Sequence, residues 1–195
     1  TMMYLQDYDE LYMTAQHVED TPDEPFYPWY VPVQPYMKNG GIFRCPSLND
    51  TPTLWAEPFY ATSWAGIRSD SLLHGFFPHS TPQAAIGTPA EQIIVSERRS
   101  GFGCIDYHPW GEGGPWERGY LDGSGFAPDH MTPDSRNPGR HQLGDNYVFA
   151  DGHAKWHKFG QTLTQGTTTD GMGNPLGMHN RDGLPPAEDG HDHDH

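Results

Sequence analysis

The chain has 195 residues, 34% of them hydrophobic, which is enough for one domain with its own core. Its 23 glycines and 19 prolines predict a loop-rich fold, because together they come close to the ~25–30% of low-complexity chains without reaching it. With 11 basic and 26 acidic residues, the net charge is -15. This charge argues against binding to nucleic acid or to anionic membrane surfaces.

The first sixteen residues carry an apolar helix face, formed by Tyr4, Leu5, Tyr8, Leu11, Tyr12 and Ala15. The chain opens in the middle of this pattern, with no charged leader and no apolar run of 18 residues. Residues 1–16 are therefore expected to be the end of a longer helix that is truncated or cleaved. A globular domain over 17–160 and an extended Gly-, Pro- and Thr-rich tail over 161–195 complete the predicted organisation.

Residues 20–36 contain five prolines interleaved with aromatic side chains. Because proline fixes φ and favours an extended predecessor, this segment is predicted to be an extended loop pinned by its aromatics. Short strands are predicted at 41–45 and at 92–97, where Ile93, Ile94 and Val95 form an apolar run.

The clearest local signal is a hairpin over 146–157, with Asp151 and Gly152 as a two-residue type I′ loop. The predicted pairs are Ala150 with His153, Phe149 with Ala154, Val148 with Lys155, and Tyr147 with Trp156. One face would then carry Tyr147, Phe149, Ala154 and Trp156.

Two cysteines, Cys45 and Cys104, allow one disulfide. The Trp- and Tyr-rich, Lys-poor composition favours an extracellular location and hence the bridge. Two buried thiols are the alternative.

His141 is followed by nine residues and then by Asp151-Gly152. This spacing resembles the signature of the prepilin-type H-x9-DG family of pilin-like and pseudopilin-like proteins. Three further segments resemble that family in the expected order: residues 4–10 its N-terminal helix, residues 36–47 with Cys45-Pro46-Ser47 its cysteine segment, and residues 88–97 its central strand.

The resemblance implies an α+β, pilin-like fold, with a truncated helix packed on a small antiparallel sheet. It also implies a structural subunit of a type IV pilus-like filament or of a type II secretion pseudopilus, at the cell surface or outside the cell. Homo-oligomers or filaments are the expected assembly, and a separate subunit is expected to donate the apolar helix if it is not truncated here.

His141 has two possible roles. It could be a metal ligand or proton carrier, or it could be an architectural residue. The architectural role is the preferred hypothesis, in which the ring N–H donates a hydrogen bond to a backbone carbonyl beside the hairpin. Asp151 is explained by the turn.

Two sets of side chains are candidate metal ligands. Asp122, Asp134 and Asp145 lie in oxygen-rich, glycine-containing segments that suit calcium, and the resemblance to major pseudopilins adds to that expectation. His191, His193 and His195 alternate with aspartates at the end of the chain and could capture a transition metal, the alternative being a solubilising end.

Asp106, His108, Glu112 and Glu117 are the residues that a hydrolytic centre could use, but no catalytic motif accompanies them. The chain is therefore predicted not to be an enzyme, a metal-dependent hydrolase being a weak alternative. A surface adhesin or carbohydrate-binding module is the runner-up, on the strength of five tryptophans expected to be exposed: Trp29, Trp55, Trp64, Trp110 and Trp116.

Overall fold

The computed structural model describes residues 2–13, 29–37, 39–47, 71–74, 81–97, 106–107, 141–142, 144–164 and 176–182, with the backbone alone at 71–74 and 106–107. The helices in these ranges are α1 (Met2–Asp7) and α2 (Phe159–Thr162), and the strands are β1 (Ser71–His74), β2 (Ile93–Glu97), β3 (Asp106–Tyr107), β4 (Asp145–Phe149) and β5 (Ala154–His157). Short 3₁₀ turns occupy Gln34–Tyr36, Gly40–Phe43, Gln83–Ala85 and Gly177–His179.

The strands form one sheet in the order β3-β1-β2-β4-β5. The pairs β1–β2, β2–β4 and β4–β5 are antiparallel, whereas β3 pairs with β1 in parallel. The predicted α+β class with a small antiparallel sheet is therefore confirmed over four strands, and the parallel edge departs from it. The parallel pair needs a crossover connection, which local sequence patterns do not reveal.

β2 is the central strand, and all five of its residues are buried. The prediction of a strand over 92–97 is confirmed. β-branched side chains suit this position because β1 and β4 cover both edges of β2 and core side chains cover its faces.

The N-terminal helix is shorter than predicted. α1 ends at Asp7, and Asp9 and Glu10 follow with φ of +50° and +61°. A left-handed backbone cannot continue a right-handed helix, so the chain turns away and Leu11 forms a β-bridge with Pro82. The prediction of one helix over the first sixteen residues is wrong because the chain leaves the helix after Asp7, and Tyr12 and Met13 enter the core from a non-helical segment.

One hydrophobic core joins α1, residues 29–43 and β2. Its buried members are Tyr4, Leu5, Tyr12, Met13, Trp29, Tyr30, Val33, Phe43, Ile86, Ile94, Val95 and Ala150. A second, smaller cluster contains Ile93, Tyr147, Phe149 and Met178. The sheet therefore packs against α1 in the larger cluster and against the segment that contains Met178 in the smaller one.

Of the aromatic segment 20–36, the structure describes residues 29–36, which are pinned by their aromatic side chains as predicted but are not extended. Trp29 and Tyr30 are buried and contact Phe43 edge-on or tilted, and the chain then turns into the 3₁₀ turn Gln34–Tyr36. The strand predicted at 41–45 is wrong. Its residues form the 3₁₀ turn Gly40–Phe43, because the Asn39 side chain accepts a hydrogen bond from the Gly41 N–H and starts a turn.

The Asp-Gly hairpin is present, but its register differs from the prediction by one residue. Val148 pairs with Ala154, and Tyr147 pairs with Lys155. A shift of one residue exchanges the faces of a strand. Trp156 therefore does not share the face of Tyr147 as predicted, and it is 39% exposed.

The loop of the hairpin explains the shift. The N–H of Phe149 donates to the carbonyl of His153 (2.9 Å), which leaves residues 150–152 as a three-residue loop. Gly152 has φ of +91°, whereas Asp151 does not enter the left-handed region. This is the arrangement of a three-residue hairpin with glycine at its left-handed position, and Ala150 fills the extra loop position as a buried core residue.

Residues 176–182, within the predicted tail, are folded. Leu176, Met178 and His179 are at most 4% exposed. The Gln92 side chain donates to the His179 carbonyl (2.9 Å) and accepts from the Arg181 N–H (2.9 Å). Residues 176–182 therefore belong to the folded body, in contrast to the extended tail predicted over 161–195, because a buried glutamine supplies partners for their backbone.

Candidate functional site

Three side chains from distant parts of the sequence meet at the C-terminal end of β2. They are Cys45 after the turn Gly40–Phe43, Glu97 at the end of β2, and His141 of the H-x9-DG pattern. Their Sγ, carboxylate and ring-nitrogen atoms all lie within 4.8 Å of one another. His141 Nε2 is 3.0 Å from Glu97 Oε2 and 3.5 Å from Cys45 Sγ. The side chains of His141 and Glu97 are 29% and 10% exposed, so the cluster is largely buried and solvent reaches it at His141.

The sheet fixes the position of Glu97. Its Oε1 accepts hydrogen bonds from the Asn146 backbone N–H (3.0 Å) and from the Asn146 side-chain amide (2.7 Å). These two bonds, from β4 to the end of β2, hold one carboxylate oxygen. The other oxygen, Oε2, is directed at His141.

The hairpin fixes the position of His141. The indole Nε1–H of Trp156 donates to the His141 carbonyl at 2.7 Å. Gly144 makes this approach possible, because a Cβ at that residue would lie 2.6 Å from the Trp156 ring and from the His157 carbonyl oxygen. Trp156 on β5 and Gly144 before β4 therefore position the start of the H-x9-DG segment.

The hydrogen-bond partner predicted for the His141 ring is wrong. Its ring contacts two side chains, Glu97 and Cys45, whereas the sequence predicted a bond to a backbone carbonyl. The backbone bond beside the hairpin exists, but there the His141 carbonyl is the acceptor. The ring is left facing a carboxylate and a sulfur atom.

The geometry does not suit a Cys–His–Glu catalytic relay. In such a relay the histidine uses one ring nitrogen for the nucleophile and the other for the orienting carboxylate. Here Cys45 and Glu97 both approach Nε2. Three electron-rich atoms that face one another in this way can share a proton or surround a cation.

The other end of the motif serves the turn. Asp151 Oδ1 accepts from the backbone N–H of His153 (3.1 Å) and lies 2.6 Å from its ring Nδ1. Partial burial raises the pKa of Asp151, but these contacts with His153 outweigh that effect and lower the pKa. The explanation of Asp151 and Gly152 by the turn is supported, with positive φ at Gly152 alone of the pair.

The structure places few of the other predicted site residues. Asp145, predicted as a loop ligand for calcium, is instead a fully buried residue of β4 paired with His157. Asp106 is described by its backbone in β3. The remaining candidates lie outside the described residues: Cys104, His108, Glu112, Glu117, Asp122, Asp134, His191, His193 and His195. The disulfide and the calcium site therefore stay predictions.

Trp29, predicted to be exposed for binding sugars, is 4% exposed in the core. That expectation is wrong because Tyr30 and Phe43 pack against its ring. Trp55, Trp64, Trp110 and Trp116 lie outside the described residues.

Sequence reasoning missed Glu97, Asn146 and Trp156. Glu97 carried a usable signal, because it is an ionisable residue directly after an apolar strand run. No local sequence signal marks Asn146 or Trp156, since their roles arise from the pairing of β4 with β2 and β5.

Among the helices in the described residues, none has the length and apolar character needed to span a bilayer. Comparison of the chain with protein-family models, curated proteins and solved structures finds no match.

Proposed function

We propose that this chain is the globular part of a type IV pilin-like subunit, which assembles into an extracellular filament or into the pseudopilus of a secretion system. One observation carries the proposal. The four segments that resemble the H-x9-DG family all supply side chains to a single core, namely Tyr4, Leu5, Phe43, Ile94, Val95 and Ala150. Segments that resemble a family in order along the chain are expected to pack together if they build that family's domain.

The position of α1 supports the same proposal. Tyr4 and Leu5 are buried against the sheet side of the molecule, whereas Met2 and Met3 are 39% and 62% exposed. Tyr8 stacks on Tyr4 and is itself 46% exposed. Adjacent exposed apolar side chains favour contact with another protein surface. In a pilin-like filament the outer face of this helix would contact neighbouring subunits.

The charge of the chain sets a condition for assembly. A net charge of -15 makes copies repel one another at low salt. We expect the isolated chain to stay monomeric or weakly associated in chelator at low salt. Light scattering would detect this, and stable filaments under those conditions would show that the globular surfaces hold the polymer without a shared helix core.

The proposal is tested by immunogold electron microscopy of producing cells and by mass spectrometry of sheared surface filaments. Label along filaments and the chain in the sheared fraction are expected. Dispersed monomers that bind glycans on an array would contradict the proposal and favour the adhesin alternative.

Two charge substitutions sharpen the test. Met3→Glu alters the exposed face of α1, and Ile42→Glu alters an apolar residue of similar exposure, 68%, in the turn Gly40–Phe43. Both variants are expected to melt like the wild type. Met3→Glu should reduce filament number, while Ile42→Glu should not. Equal filament numbers in the two variants would argue against α1 as the assembly surface.

A further inference from the structure

We propose that Cys45, Glu97 and His141 form a Zn²⁺ site, with a water molecule or a group from a neighbouring chain as the fourth ligand. The inference does not depend on the filament proposal. It rests on the geometry of the three ligand atoms, on their chemistry, and on the hydrogen bonds that hold two of them in place.

The spacing of the ligand atoms suits a tetrahedral metal. Ligands bound to zinc at ~2.0–2.3 Å lie about 3.3–3.6 Å from one another in a tetrahedron. His141 Nε2 and Cys45 Sγ are 3.5 Å apart, and His141 Nε2 and Glu97 Oε2 are 3.0 Å apart. The Glu97 carboxylate would have to move by a few tenths of an ångström from His141 to reach this spacing, and all three ligand atoms lie within 4.8 Å of one another. The 29% exposure of the His141 side chain gives a fourth ligand access from solvent.

The donor set identifies the class of metal. A thiolate and an imidazole favour zinc over calcium, which takes six to eight oxygen ligands. A thiolate and a carboxylate carry two negative charges with a neutral histidine, and Zn²⁺ balances both. On binding, the Cys45 thiol gives its proton to the solvent and the sulfur bonds to the metal. Charge balance matters here because Glu97 is 90% removed from solvent.

The hydrogen bonds at Glu97 are of the kind that supports a ligating carboxylate. Asn146 holds Oε1 of Glu97 through two hydrogen bonds, and Oε2 lies 3.0 Å from His141 Nε2. Trp156 holds the backbone of His141. Partners of this kind orient metal ligands and contribute about 10–100-fold to metal affinity. The bound ion would tie the segment after Gly40–Phe43 to the central strand.

The experiment uses the full chain with His191, His193 and His195 changed to alanine, so that the end of the chain does not contribute metal binding. After dialysis against Zn²⁺ under reducing conditions, elemental analysis should find one zinc per chain. Co²⁺ in place of Zn²⁺ should give a thiolate-to-cobalt charge-transfer band. Zn²⁺ should also raise the melting temperature, and chelator should reverse that rise.

Single variants locate the site. Cys45→Ser should abolish the cobalt band, and His141→Ala and Glu97→Gln should each weaken zinc binding by more than about tenfold. Glu97→Gln keeps the size of the side chain and an oxygen for Asn146. His153→Ala is the matched control, since His153 is an exposed histidine of the same hairpin paired with Asp151, and it should bind zinc like the parent.

Four results would overturn the proposal. One is the absence of zinc binding and of a cobalt band in the folded parent, as expected if a proton on His141 is shared between Glu97 and Cys45. Another is binding that survives Cys45→Ser and Glu97→Gln unchanged. The third is a Cys45–Cys104 disulfide, found by peptide mapping of the protein isolated from its native source. If a variant fails to fold, X-ray absorption of the zinc-loaded parent still decides, because a zinc shell without sulfur contradicts the site.

Discussion

Replacing Gly177 by alanine should destabilise the protein strongly, because two features of the structure exclude a side chain there. Gly177 has φ of +54°, and a Cβ at this position would lie 2.1 Å from the Thr162 carbonyl oxygen and 2.6 Å from Leu163 Cα. A left-handed backbone costs an L-residue about 1–2 kcal/mol. The contact with backbone atoms adds strain that no side-chain rotation relieves.

Complete detachment of residues 176–182 sets the upper limit on the loss of stability. If residues 176–182 leave the body, Leu176 and Met178, now 3% and 4% exposed, return to solvent. Burial of each such side chain contributes about 1.5–3 kcal/mol. Gly177→Ala should therefore reduce the free energy of unfolding by about 2–6 kcal/mol.

The assay is urea denaturation of Gly177→Ala beside a matched variant, Gly160→Ala. Gly160 lies in α2, and a Cβ there would meet nothing within 4 Å. Alanine at Gly160 should leave the protein as stable or raise its stability by about 0.5–1 kcal/mol, because glycine is unfavourable inside a helix. Equal stability of the two variants would refute the packing of residues 176–182 against α2.

Three further predictions concern the core and the hairpin. Gly152→Val should destabilise by about 1–3 kcal/mol because a β-branched residue is strained at positive φ, whereas Gly152→Asn should cost less; equal melting temperatures would contradict the observed φ of +91°. Tyr12→Phe should lower the free energy of unfolding by about 1–3 kcal/mol in chemical denaturation, since the Tyr12 hydroxyl donates to the Ala150 carbonyl (2.7 Å) inside the core. An unchanged free energy of unfolding would mean that water, rather than Tyr12, satisfies that carbonyl. Burial lowers the pKa of His179 from 6.5 to about 3, so the unfolded chain binds a proton that the folded chain does not. The free energy of unfolding should therefore fall as the pH drops from 6.5 towards 3, by at most about 1.4 kcal/mol per pH unit from this residue. His179→Gln should lose that part of the slope, and an unchanged pH profile would mean that His179 is protonated in the fold.

The sequence predicted those elements whose signals are local. The apolar run of β2 and the Asp-Gly turn were found because each depends on a few consecutive residues. The register of the hairpin was missed because Asp-Gly suits both a two-residue and a three-residue loop. The choice depends on Ala150, whose N–H donates to the Gln92 carbonyl and whose carbonyl accepts from Tyr12. These contacts are remote in sequence.

The candidate site was predictable in part for the same reason. His141 and Cys45 stood out through the family resemblance, but nothing in their spacing places them together with Glu97. Their meeting depends on the pairing of β2 with β4, from which Asn146 reaches the Glu97 carboxylate. Residues 176–182 were assigned to a tail because the stretch 161–195 that contains them is rich in Thr, Gly and Pro. Their burial depends on the side chains of Gln92 and Thr162.

The most direct test of the account is a cryo-electron microscopy reconstruction of filaments sheared from producing cells. The account predicts that this chain is present in the filament, with α1 directed towards the axis and in contact with neighbouring subunits through Met3 and Tyr8. Filaments that lack the chain, or that contain it with α1 facing solvent, would contradict the proposed function.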